Sequence, residues 1–377
     1  MTPCRSNSPG KGISVAGLFV GCGGLDTGFK QAGFDLVWAN ELEPDAARSY
    51  QQLVGHQAVV GDLWNVMDAI PYADVIIGGP PCQSFSLVGK RLQDDPRGKL
   101  VLAYQQVIER IRPKAFVMEN VPGLTASRVD GVRLHHHLAE QFERMGYHMT
   151  LLKLIATDFF VPQRRSRMLM VGHRLGNRPF SLISQEAYAT LLGTPLLQAP
   201  VSVADALDDL PPPAAKGCHE AQPYRRNPHS TYAQLMRRDA TNDVTLQSMP
   251  TMSVLDREFV RHIPPGGNYN DIPDHIATKR ILSFKASGGR TTTYGRLDPA
   301  LPAYTINTYF NRPNVGANYH HRDERLITVR EALRLQSFPD DFTPFFSSQR
   351  SLHAQVGNAV PPLMSRAIAE SLRVLFQ

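Results

Sequence analysis

The chain has 377 residues, 42% of them hydrophobic and 20% charged. That is the make-up of a soluble globular protein of about two to three domains at roughly 150 residues each, and it excludes global disorder and a membrane-embedded chain. Lys and Arg number 40 against 34 Asp and Glu, a net charge of +6 that permits a nucleic-acid partner without requiring one.

In the first half, short apolar runs alternate with helical periods, the signature of parallel βαβ units. Strands are predicted at 14–20, 34–40, 57–60, 74–77, 115–119, 148–155 and 168–172, with helices at 45–53, 99–112 and 132–145. The expected fold is α/β, a doubly wound, mostly parallel sheet covered on both faces. Periodicity weakens after about residue 180, and Leu210-Pro211-Pro212-Pro213 reads as punctuation. Order returns at Thr328-Val329-Arg330-Glu331, a capping box that predicts a short helix to about Gln336. A last helix follows Pro361-Pro362, with Leu363, Met364, Ala367, Ile368, Leu372, Leu375 and Phe376 on one apolar face.

Cys4, Cys22, Cys82 and Cys218 form no CxxC pair and no disulfide framework, which predicts a cytoplasmic protein. The first residues lack an apolar signal core, and the longest uncharged run, 187–204, contains Pro195 and Pro200, so no membrane partner is expected. The charge is unevenly spread: residues 1–213 hold 20 basic and 20 acidic side chains, whereas 214–325 hold 15 and 10. That segment also carries seven of the twelve tyrosines and several Gly and Pro turns. A basic, aromatic, loop-rich stretch suits a polyanion-binding surface, and a merely solvated basic face is the alternative.

Phe19-Val20-Gly21-Cys22-Gly23-Gly24 follows the first strand and opens a helix, so its glycines permit a tight turn and close approach of a ligand. Glu41, twenty residues after Gly21, is spaced to accept ribose hydroxyls, and Asp62 is placed to accept from an adenine amino group. Asp26 stands where a dinucleotide fingerprint has its third glycine, which argues against a nicotinamide oxidoreductase. A glycine turn that only folds the chain, with two solvated carboxylates, is the alternative. The fourth strand runs into Gly78-Gly79-Pro80-Pro81-Cys82-Gln83, a rigid turn that projects one thiol, the best side-chain nucleophile near neutral pH when ionised. Glu119, ending the fifth strand, brings a carboxyl group to the same edge. Arg165 and Arg167 alternate at strand spacing and offer two guanidiniums for a carbonyl oxygen, a phosphate or that glutamate.

The chain resembles the DNA (cytosine-5)-methyltransferases of bacterial restriction–modification systems. The match runs in order through the glycine loop at 19–24, Asn40-Glu41, Gly61-Asp62, Pro81-Cys82-Gln83, Glu119-Asn120-Val121, Gln163 to Arg167, Arg330-Glu331, and Gln355 to Val360. The resemblance implies a Rossmann-like S-adenosylmethionine-dependent methyltransferase fold, with 1–180 and 326–377 as the catalytic domain and 181–325 as a smaller target-recognition domain. It implies that Cys82 adds to C6 of a flipped-out cytosine in duplex DNA, with Glu119 at N3 and Arg167, next to Arg165, at O2. S-adenosylmethionine would lie against Phe19, Gly21, Gly23, Gly24, Glu41, Asp62, Leu63, Pro81, Asn358 and Ala359, leaving as S-adenosylhomocysteine, with no metal. Gln83, Ser86, Arg91 and Arg97 would belong to a loop that closes over DNA. Arg225, Arg226, Arg237, Arg238, Lys279, Arg280 and Arg290 are candidate contacts in the basic segment. A monomer is expected, functionally paired with a restriction endonuclease but in no stable complex with it. A tRNA cytosine-5 methyltransferase is the alternative function.

Overall fold

The computed structural model describes residues 12–80, 98–120, 128–129 and 132–377. Seven strands form one sheet: β1 (Ser14–Leu18), β2 (Asp35–Glu41), β3 (Val59–Val60), β4 (Val75–Gly78), β5 (Ala115–Asn120), β6 (His148–Ile155) and β7 (Ser166–His173). Their order is β3-β2-β1-β4-β5-β7-β6. The first five run parallel, and β7 is antiparallel to both of its neighbours. All seven overlap the strands expected from the sequence. The strand order turns back at β1, whose neighbours are β2 and β4, so the loops leaving β1 and β4 open onto the crevice where such sheets bind ligands.

Alternation along the strands sorts side chains to two faces. Val15, Val75, Ile77, Val117, Leu169 and Val171 enter one core, while Ala16, Leu18, Ile76, Phe116, Met118 and Met170 enter the other. The second face is covered by α3 (Leu63–Val66), α4 (Gly98–Ile111) and α5 (Leu134–Arg144), through residues such as Val107, Leu138 and Phe142. Helix α5 starts later than expected because Val132–Arg133 first pairs as a strand with Arg128–Val129. On the first face lie α1 (Gly24–Gln31) and the last helix, α13 (Pro362–Arg373). Helix α2 (Pro44–Val54) packs outside β2. A Cβ on Gly28 would stand 2.3 Å from the backbone nitrogen of Arg366, so α1 and α13 touch backbone to backbone. The last helix thus packs directly on the helix that follows the first strand.

Between residues 181 and 325 are five helices: α6 (Gln185–Leu192), α7 (Val203–Leu207), α8 (Thr231–Met236), α9 (Val254–His262) and α10 (Lys279–Ser287). Tyr188, Leu192, Val203, Leu207, Tyr232 and Met236 from the first three share the main core. A separate core gathers Phe259, Val260, Ile263, Tyr269, Ile272, Ile281, Tyr294, Tyr319 and Leu326. Leu297, Ala303, Ile306 and Phe310 return to the main core, so the separate core is enclosed between stretches that pack on the catalytic sheet. Helix α11 (Val329–Leu335) begins at the expected capping box, with Thr328 Oγ1 accepting from Glu331 N at 3.1 Å. Helix α12 (Gln349–Asn358) was not anticipated. No described helix is long and apolar enough to cross a membrane.

Candidate active site

The carboxyl ends of β4 and β5 lie side by side, with Ile77 opposite Val117 and Gly78 opposite Met118. Glu119 is 7% exposed at that edge, and a Cβ on Gly79 would come within 2.9 Å of its Oε2, so the glycine leaves room for the carboxylate. Across the antiparallel β5–β7 pair, Glu119 faces Leu169, which makes Arg167 its diagonal neighbour on the same face. Arg167 Nε lies 2.5 Å from Glu119 Oε1 in a nearly buried ion pair. Asn120 Nδ2 donates to Pro80 O at 3.2 Å and so fastens the residue ahead of Pro81 to the end of β5. Cys82 itself, with Pro81, Gln83, Ser86, Arg91 and Arg97, lies outside the described residues.

Arg165 lies within electrostatic reach of Glu119 and Arg167 but makes its hydrogen bonds elsewhere. Its guanidinium is buried and donates to Ile306 O at 2.9 Å and Gly357 O at 3.0 Å. It precedes the first residue of β7 and stitches the 303–310 segment to α12. Gln163 acts likewise, donating to Leu335 O and accepting from Ile306 N. Arg330 is buried and donates to Thr245 O and Phe342 O. Glu331 pairs with Arg325 at 2.8 Å. These motif residues hold architecture around the edge.

The glycine loop has the predicted shape. Phe19, Gly21 and Gly23 have φ of 54°, 56° and 98°, and Gly23 precedes the first turn of α1. Nothing lies within 4 Å of where a Cβ on Gly21 would project, so the loop borders open space. Glu41 Oε2 accepts from Gly21 N at 2.7 Å, and Oε1 from Leu42 N and Glu43 N at 3.0 Å. Burial nevertheless raises the pKa of Glu41. Asp62 caps α3 by accepting from Trp64 N at 3.0 Å, while Leu63 behind it is buried. A Cβ on Gly24 would meet Val360 O at 2.1 Å, which sets Asn358, exposed, and Ala359, nearly buried, next to this loop. The open space at Gly21, the positive-φ backbone and the carboxylate beneath it fit a nucleoside-bearing cofactor.

Residues 13–373 match the profile of the C-5 cytosine-specific DNA methylases. The chain belongs to this family. It is 33% identical to the type II methyltransferase M.NgoFVII of Neisseria gonorrhoeae, over 98% of this chain and 89% of that protein. Identity to the type II methyltransferase M1.HphI of Haemophilus parahaemolyticus is 34%, covering 96% and 86%. Among solved structures, an E. coli prophage-encoded protein assigned as a DNA modification methyltransferase superposes with a TM-score of 0.70 at 23% identity, over 97% of this chain and 99% of that one.

In this methylase the candidate DNA contacts differ in availability. Arg237, half-buried, pairs with Asp209 at 3.2 Å and stacks on Tyr224 at 3.6 Å, so part of its guanidinium is already engaged. Arg226 pairs with Asp208 at 3.4 Å, and Arg238 donates to Leu192 O. Arg225, Arg226, Arg238, Lys279, Arg280 and Arg290 are all exposed, the last three around α10 on the separate core. Sequence reasoning gave no attention to Leu42, which is 60% exposed beside Glu41 and donates its backbone N–H to the Glu41 carboxylate. It also gave no role to Tyr50, whose ring backs onto Gly23.

Proposed function

We propose that this chain transfers a methyl group to C5 of a cytosine within a specific double-stranded DNA sequence, as the modification enzyme of a restriction–modification system. The observation that carries the proposal is the Arg167–Glu119 pair at the β4–β5 edge, beside the Asn120 bond to Pro80, two residues before Cys82. Cys82 adds to C6 of a base swung out of the duplex, since the ring is inaccessible inside the stack. Glu119 at N3 and Arg167 at O2 take up the charge that develops as aromaticity is lost. C5 then becomes nucleophilic, and after it is methylated, loss of its proton and departure of Cys82 restore the ring.

S-adenosylmethionine, when bound, supplies an electrophilic methyl group and leaves as S-adenosylhomocysteine. Phe19, Gly21, Gly23 and Gly24 would form its wall, with Glu41 at the ribose, Asp62 and Leu63 at the adenine, and Pro81, Asn358 and Ala359 near its amino-acid end. Arg225, Lys279, Arg280 and Arg290 would meet DNA, together with the 83–97 loop. The enzyme acts as a cytoplasmic monomer without metal, alongside a nuclease of matching specificity. Similarity to type II methyltransferases that reaches 34% identity favours DNA over tRNA as substrate. Incubation with a duplex carrying 5-fluorocytosine tests the mechanism: a cofactor-dependent covalent complex is expected, absent in Cys82→Ala. Failure of the unmodified protein to form it on any methylatable duplex counts against Cys82 as nucleophile.

A further inference from the structure

Directly behind the glycine loop lies a carboxyl group that the mechanism does not use. Asp26, in the first turn of α1, is 1% exposed. Its Oδ1 accepts from Tyr50 OH at 3.1 Å, and its Oδ2 has no hydrogen-bond partner. The absence of a side chain at Gly17 makes room for it, since a Cβ there would stand 2.2 Å from Oδ1. Tyr50 in turn backs onto Gly23, where a Cβ would come 3.1 Å from its ring. Strand β1, the glycine loop and α2 thus enclose one acid.

The charged and titratable groups around it supply no counter-charge. Lys30 on the same helix donates to Val54 O, and Arg366 of α13 leans toward Glu370 at 3.9 Å. Glu41 at the end of β2 is itself an acid and Cys22 is a buried thiol, while β1 and β4 contribute no titratable side chain that faces it. Burial pushes the Asp26 carboxyl up to about 7, so near neutrality it exchanges a proton readily. The missing positive charge is one that a sulfonium supplies and a thioether does not.

We propose that Asp26 is a positioning residue behind the cofactor loop, which favours the cationic methyl donor over its neutral product. When the donor occupies the open side of the loop, its positive charge stabilises ionised Asp26 and the carboxyl proton leaves to solvent. Once the methyl group has gone the cation is gone too, Asp26 takes a proton back, and the product is held less tightly. The role rests on the cofactor placement proposed above.

Titration calorimetry of the full chain with S-adenosylmethionine and with S-adenosylhomocysteine, from about pH 6 to about pH 8.5, tests it. The comparison is between the unmodified protein and Asp26→Asn, which keeps the shape but cannot ionise. Titration of each ligand's own amino group cancels in the ratio of the two proteins' affinities. For the donor that ratio is expected to rise on the order of tenfold across the range, a charge–charge effect across the thickness of a loop. For the product it stays flat. Tyr50→Phe, which deprives Oδ1 of its donor, moves the rise to higher pH and serves as the test if Asp26→Asn does not fold. A donor ratio that stays flat, or that rises equally for both ligands, overturns the role of Asp26 alone. Failure of either ligand to bind the unmodified protein overturns the cofactor placement with it.

Discussion

Glu119 stands between two unequal neighbours: Gly79, which gives its carboxylate room, and Arg167, which gives it a charge partner. That setting predicts a kinetic effect with little change in folding. Glu119→Gln should lower the single-turnover methyl-transfer rate by roughly 10²- to 10⁴-fold, the usual worth of a positioned proton-handling group, while S-adenosylmethionine binding stays within about twofold. Arg165 leads to the opposite expectation. Its removal leaves two buried carbonyls unpaired, so Arg165→Ala should cost roughly 2–4 kcal/mol in urea unfolding. Position at a strand end singled out Glu119 and alternation singled out Arg167, both in regular, paired backbone. Neither foresaw the carbonyl partners of Arg165, since spacing tells which side of a strand a residue occupies and nothing of how far a long side chain reaches.

Among the elements, the central parallel strands were legible because buried parallel strands read as uninterrupted apolar runs, and β4 and β5 are buried along their full length. Helices α6 to α10 were not legible by periodicity, being only five to nine residues long. Their beginnings were nevertheless written in the chain: Ser184, Ser202, Ser230, Ser253 and Thr278 each cap one of them. Close packing of α1 on α13 gives the sharpest test at this scale. Gly28→Ala would push a Cβ into the backbone of Arg366, so a loss of roughly 1–3 kcal/mol is expected in denaturant unfolding. Alanine at an exposed helical site such as Gln51 should change stability by less than about 0.5 kcal/mol.

For the whole molecule, the junction between the two cores sets the response to acid. Arg325 and His320 face Glu331 there, and the Arg325 charge holds the Glu331 carboxyl at about 2, below its ordinary 4.5. His320 Nδ1 accepts from Arg322 N and Asp323 N, and burial holds the ring at about 3, below 6.5. Both groups bind protons more weakly folded than unfolded, so both contributions are complete near neutrality. That of His320 is lost as pH falls below about 6.5 and that of Glu331 below about 4.5. The melting temperature should therefore drop in acid from about pH 6.5, and His320→Gln should flatten the upper part of that fall. Salt probes the other whole-molecule feature, the basic excess in 214–325: DNA affinity should weaken with a log–log slope of roughly one per phosphate contact. Sequence located that excess but not its division, because ion pairs such as Arg237–Asp209 join residues far apart in the chain. The central claim meets its most direct test in the nucleosides of plasmid DNA from cells expressing the protein or its Cys82→Ala variant, separated by mass spectrometry and located by bisulfite sequencing. The expected result is 5-methylcytosine at one recurring sequence, present with the unmodified protein and absent with the variant. Plasmid DNA without 5-methylcytosine, combined with 5-methylcytosine in tRNA from the same cells, would contradict it.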